Sequence, residues 1–130
     1  ELGLNVEVNI VEWSSFTPMR RNGEYMVARN GWVGDYSDPS NMLDLFCTGN
    51  GNNDGKFSNA DFDAAMKKAA STMDTAERSA ALHEAEDVLM EQVGCIPVAY
   101  YNDFWLQSEK ITGIVTGTSC MVTSQSNLRI

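Results

Sequence analysis

Between residues 5 and 31 the apolar pattern changes period twice, and this constrains the fold more than any composition figure does. Residues 5–13 alternate, with Val6, Val8 and Ile10 set against Asn5, Glu7 and Asn9. A period of two is that of a half-buried strand. Ser14-Ser15 is expected to cap a short helix running through Phe16, Met19 and Arg20, with Pro18 tolerable only in its first turn. Asn22-Gly23 ends that helix, and residues 25–31 return to a strand-like run. Strand, helix, strand in this order predicts an α/β crossover and a parallel pair.

Beyond it, Gly34 to Pro39 reads as a loop and Ser40 to Phe46 as a short helix. Gly49 to Gly55 is a polar loop with no core-forming residues. Two capped helices follow. Ser58-x-x-Asp61 opens the first, with Phe62, Ala65, Met66 and Ala69 on one face. Asp74-x-x-Glu77 opens the second, with Ala81, Ala85, Val88 and Leu89 on one face. In such boxes the cap and the third residue satisfy orphan N–H groups. Gly94 is expected to close the second helix. Residues 95–101 are apolar and strand-like, with Pro97 near their start; Phe104-Trp105-Leu106 continues in that manner, and about 112–130 reads as an irregular Gly/Ser/Thr-rich tail. No repeat or linker divides the chain, so 1–130 is taken as one domain.

The net charge is −9, from 18 acidic against 9 basic residues, which leaves no basic footprint for nucleic acid. No apolar run approaches the ~18 residues of a membrane span. The chain opens on Glu1 rather than Met and is read as a piece of a longer protein. Cys47, Cys95 and Cys120 form no CxxC and, with His83, no zinc spacing; they read as small buried hydrophobes, with one disulfide left open.

Chemistry concentrates in Arg29-Asn30-Gly31-Trp32-Val33-Gly34-Asp35. A cation, a large aromatic and a carboxylate, separated by two glycines, suit a small zwitterion: Arg for its acid end, Asp for its amine end. A buried ammonium is costly unless paired, and Arg offers carboxylates a planar fork that Lys lacks. Each residue also has a structural alternative. Asp35 would cap a turn, Arg29 would be a surface cation, Arg20 a solvated helix-end charge, and Trp13 and Trp32 core aromatics. Asp38-Pro39 shapes the turn and starts the next helix.

Several pieces in order carry a family resemblance over roughly residues 3–115. They are Gly3-Leu4-Asn5-Val6, Glu12-Trp13-x-x-Phe16, Gly31-Trp32 with Asp35-Tyr36-x-Asp38-Pro39, Phe57-Ser58-Asn59-x-x-Phe62-Asp63, Asp74-x-x-x-Arg78, Glu84-Ala85-Glu86, Ile96-Pro97-Val98, and Ile111-Thr112-Gly113 or Val115-Thr116-Gly117. Together they resemble the C-terminal portion of extracytoplasmic solute-binding proteins of the oligopeptide/dipeptide/nickel class, nearest to the oligopeptide binders. The resemblance implies an α/β, class II periplasmic-binding-protein-like lobe fragment, a mixed sheet with flanking helices, whose N-terminal lobe is missing here. It implies capture of oligopeptides for a membrane ABC permease, outside the cytoplasm, in a lipid-anchored parent, without enzymatic activity, cofactor or metal. Asp35 would hold the peptide α-ammonium and Arg29 would serve the carboxyl end. Trp32 and Trp13 would wall side-chain pockets, and Arg20 would lie near the cleft.

Rival readings stay open. The cargo would instead be a dipeptide, a sugar or a metal complex. Asn50-x-Asn52-x-Asp54-Gly55 with Asp61 superficially resembles a calcium loop, though its carboxylates are few. Asp61/Asp63, Glu84/Glu86/Asp87 and Asp35/Asp38 would be the acidic pairs of a hydrolase, but the first two sets read as solvated helix faces. A truncated lobe would also expose surface suited to dimerisation.

Overall fold

The longest regular elements are two helices, α3 (Ala60–Ser71) and α4 (Thr75–Glu91), joined by a short connection. The structure, a computed structural model, describes residues 3–100 together with 106, 108 and 110. Before the pair come α1 (Trp13–Asn22), the single-turn α2 (Ser40–Leu43) and a 3-10 turn, Asp44–Phe46.

The core is the α3–α4 seam. Phe62, Ala65, Met66 and Ala69 of α3 are buried against Ala81, Leu82, Ala85 and Leu89 of α4. The expected faces are therefore the buried ones, with Leu82 added and Val88 only half-buried. Alanine at four of these positions lets the helix axes approach, since interaxial distance follows side-chain size. Leu43, Phe46, Cys47, Phe57 and Cys95 close the periphery, and the Phe57 ring meets Phe62 edge-on at 5.4 Å.

The caps explain where these helices begin. Asp74 accepts from the Glu77 amide at 2.8 Å, as its box predicts. For α3 the cap moves one residue. Asn59, not Ser58, accepts from the amides of Asp61 and Phe62, while the Ser58 hydroxyl bonds Thr48 Oγ1 at 3.0 Å. Asn is as good a cap as Ser, and the choice frees Ser58 to tie down the preceding loop.

Both α1 and α4 end in the same motif. After α1, Gly23 takes the left-handed conformation, its amide reaching Arg20 O and that of Glu24 reaching Met19 O. After α4, Val93 takes that conformation, with Val93 N on Met90 O and Gly94 N on Leu89 O. This pair of bonds is the Schellman closure. Gly94 thus closes the helix through its amide, as expected, while the left-handed conformation falls on Val93 and not on Gly94. Gly94 is reserved for close approach: a Cβ there would lie 2.5 Å from Leu89 Cδ1 and 2.7 Å from Phe57 Cδ2.

Helix α1 also departs from expectation. Its cap is Glu12, whose carboxylate accepts from the Ser14 amide at 2.9 Å and from the Ser14 hydroxyl. Pro18 sits inside the helix, beyond its first turn, so the carbonyl of Ser14 gets no helical N–H. No residue of α1 is buried.

The expected parallel pair is not formed. Residues 3–12, 24–34 and 95–100 carry neither helix nor strand ladder among the described residues. Val6, Val8 and Ile10 are all exposed. Alternation marks the face a strand would bury, but a strand exists only through hydrogen bonds to a partner. The expected tail at 112–130 and the run 104–106, apart from Leu106, lie outside the described residues.

Candidate functional site

The segment Asn30–Asp38 is extended and then bent, and polar contacts hold it at three points. At its start, Asn30 Oδ1 accepts from Arg20 NH1 at 2.8 Å and from the Gly31 amide at 2.8 Å. In its middle, the Trp32 indole Nε1 donates to Asn41 Oδ1 at 2.8 Å. At its end, Asp38 Oδ1 accepts from the Ser40 amide at 2.9 Å and from Arg78 NH2 of α4 at 3.0 Å. The Ser40 hydrogen bonds, and after them the Arg78 charge, hold the Asp38 carboxyl below its ordinary range. Nearby Asp44 is shifted upward by burial and by the Asp38 charge, with Arg78 opposing.

Asp35 lies between these holds. Its side chain is exposed and makes no hydrogen bond or ion pair among the described residues. It therefore caps no turn; that work falls to Asp38, as the Asp38-Pro39 pattern predicts. Trp32 is 36% exposed, so the ring is half-open and held at its N–H rather than a core aromatic. Arg29 is exposed, immediately before Asn30.

Arg20 is not a solvated helix-end charge. Its Nε lies 2.7 Å from Asp54 Oδ2, with side-chain exposures of 16% and 8%. The contact is a close ion pair although the N–H is not aimed at the oxygen as a hydrogen bond requires. The guanidinium also lies 5.5 Å from the centre of the Phe16 ring, and Phe16 stands 6.0 Å from Trp13. Trp13 itself is exposed. The structure thus links Trp13, Phe16 and Arg20 along one stripe of α1, and Arg20 onward to Asn30.

Sequence reasoning missed four members of this frame: Asn30, Asn41, Asn53 and Asp54. Asn41, Asn53 and Asp54 are buried; the 49–55 loop adds no residue to the hydrophobic core, as expected, but it does bury two polar side chains. Asn53 donates to the carbonyl of Phe57 at 2.7 Å and accepts from the Phe57 amide at 3.0 Å. Its Nδ2 also lies within 3.3 Å of Phe46 O and Cys47 O. A buried side chain that satisfies so many backbone groups organises a loop that would otherwise leave them unpaired.

The calcium-like spacing is used differently. Asp54 faces Arg20, and Asn50 turns its Nδ2 to Asp44 O at 2.8 Å. Among the described residues, no three His, Cys, Asp or Glu side chains gather to hold a metal ion. The acidic pairs are likewise dispersed. Asp63 accepts from Thr48 N, Glu84 faces Lys68 and Glu86 faces His83. Cys47 and Cys95 are free and half-buried. Burial pushes both thiols up, helped at Cys47 by Asp44 and Asp63. No helix among the described residues is long and apolar enough to cross a membrane.

The fold matches the unliganded open form of the Escherichia coli murein tripeptide-binding protein MppA with a TM-score of 0.70. Identity is 33%, over 72% of this chain and 18% of that one. The pheromone receptor PrgZ shares the fold over 99% of this chain and 24% of its own, at TM-score 0.79 and 23% identity. In sequence, the chain is 32% identical to the oligopeptide-binding protein OppA of Bacillus subtilis over 115 residues, 88% of this chain and 21% of that protein. Residues 1–54 match the family model described as bacterial extracellular solute-binding proteins, family 5 Middle. The chain corresponds to a segment of a solute-binding protein of that family, spanning about a fifth of the length of the curated relatives it matches.

Proposed function

We propose that the chain is the part of an extracytoplasmic oligopeptide-binding protein that presents the anchor for the peptide's α-ammonium, and that the anchor is Asp35. The observation that carries this reading is the state of that carboxylate. It is exposed and unpartnered among the described residues, on a loop whose flanking residues are fixed at Asn30, Trp32 and Asp38. A carboxylate held in place before ligand arrives avoids the ordering cost that a mobile one would impose, and its bond to an ammonium is charge-assisted.

In this reading Arg29 serves the far, carboxyl end of the peptide. Trp32 and Trp13 offer flat walls that accept varied side chains, and Arg20 acts by holding the loop. Backbone pairing with extended segments would supply affinity without sequence preference. A second lobe would close over the cargo by hinge motion, and an ABC permease would receive it. The role is capture rather than catalysis.

The test is mass spectrometry of cargo that co-purifies with the full-length protein carrying this segment. Peptides with free amino termini are expected, and Asp35→Ala should deplete them. A non-peptide cargo, or an undiminished peptide load in the variant, would contradict the proposal.

A further inference from the structure

We infer that Asn41 is a positioning residue, which acts through Trp32 to set the aromatic wall of the ligand site; this rests on the peptide-binding reading above. Asn41 is 6% exposed. Its Oδ1 accepts from the Trp32 indole at 2.8 Å. The indole N–H only donates, so the facing atom of the amide must be its oxygen. The same oxygen would lie 3.6 Å from a Cβ at Gly34, so the amide packs beneath the backbone next to Asp35 as well as against the ring. Asn41 is itself fixed, because its amide N–H donates to Asp38 O at 3.0 Å at the start of α2. One buried side chain therefore sets the ring of residue 32 and floors residue 34, the two positions that lead into the anchor.

A flat ring that rotated about its side-chain torsions would present a wall of variable depth to whatever lies against it. Fixing its N–H removes that freedom. The consequence is selective: ligands whose side chains lie on the ring depend on Asn41, and ligands without such a side chain do not. A residue needed only for folding would affect all ligands alike.

The experiment uses the full-length protein, the tripeptides Ala-Phe-Ala and Ala-Ala-Ala as probes, and the variants Asn41→Leu, Asn41→Asp, Trp32→Phe and Asn41→Leu/Trp32→Phe. Asn41→Leu should weaken Ala-Phe-Ala about tenfold while changing Ala-Ala-Ala by about threefold or less. Asn41→Asp, which keeps the acceptor, should restore most of the loss. In the Trp32→Phe background the Asn41→Leu substitution should add nothing, since a coupling energy exists only while both partners do. Equal losses for both peptides, or an undiminished effect of Asn41→Leu in the Trp32→Phe background, would overturn the inference. The NMR resonance of the Trp32 indole N–H gives a readout that needs no peptide. It should move, and exchange faster with solvent, in Asn41→Leu but far less in Asn41→Asp. An indole resonance unchanged by Asn41→Leu overturns the inference on its own. A wild-type protein that binds neither peptide fails the peptide-binding reading instead, and the indole resonance then still decides whether Asn41 fixes the ring.

Discussion

At the single-residue scale, Val93 and Gly94 show how a local role can be displaced by packing. The left-handed position after a helix suits glycine, because a Cβ collides there with the backbone. Here the glycine is one residue later, where the Leu89 and Phe57 side chains leave no room for a Cβ. The left-handed position falls instead on Val93, a β-branched residue at φ 52°. Two predictions follow opposite signs. Val93 is 66% exposed, so Val93→Gly loses little burial and should relieve on the order of 1 kcal/mol of backbone strain, seen as a higher urea midpoint. Gly94→Ala should destabilise by about 1–3 kcal/mol through overpacking, measured the same way. The sequence showed that a helix ends near Gly94; it did not show which of the two residues bends, because that depends on where Leu89 and Phe57 pack, the latter far back in the chain.

At the scale of elements, the two long helices were legible and the strands were not. The apolar residues of α3 and α4 recur at helical spacing, and each helix carries its own start signal, so both face and boundary are written locally. A strand has only half its structure in its own sequence; the other half is its partner. The alternation at 5–13 is real, but the pairing with 25–31 inferred from element order is absent among the described residues. The short helix after Pro39 was also legible, and the structure adds what fastens it. Asp38 joins Ser40 at the helix start to Arg78 on α4. This contact has a pH signature. The folded Asp38 carboxyl titrates below its ordinary value, so the unfolded chain binds more protons in that range. Its contribution is therefore present above the ordinary Asp pKa of ~3.9 and is lost as pH falls through the lower folded value. Asp44, shifted the other way by burial and by Asp38, opposes it: its contribution is present below the ordinary value and lost as pH rises through the raised one. The stability advantage of wild type over Asp38→Asn should shrink as pH is lowered from about 5 to 2, measured by urea unfolding at each pH. An advantage independent of pH would show that Asp38 acts by shape alone.

Across the whole molecule, the candidate site is a loop braced from two sides. Arg78 ties it to the helical hairpin, and Arg20 ties it to α1 and, through Asp54, to the loop before α3. Of the proposed site, Asp35, Trp32 and Arg29 stand out in the sequence, because reactive residue types crowd a short glycine-flanked stretch. The brace was not visible. Arg20 meets Asp54, and Arg78 meets Asp38, across long separations that no local pattern encodes, and the buried asparagines look in sequence like ordinary loop residues. With no residue of α1 buried, this ion pair should carry much of its attachment. Asp54→Ala would leave the Arg20 side chain, 16% exposed, without its counter-charge, at a cost of about 3–5 kcal/mol. Hydrogen exchange should show lost protection in α1 with α3 and α4 little changed, and Arg20→Met/Asp54→Leu should recover most of the loss. The most direct test of the central claim is calorimetric titration of the full-length protein, wild type and Asp35→Asn, with tri-alanine and its N-acetylated form. Wild type should prefer the free amine by about 30-fold or more, and Asp35→Asn should lose this preference. Equal binding of both peptides by wild type, or a preference undiminished in Asp35→Asn, would contradict that claim.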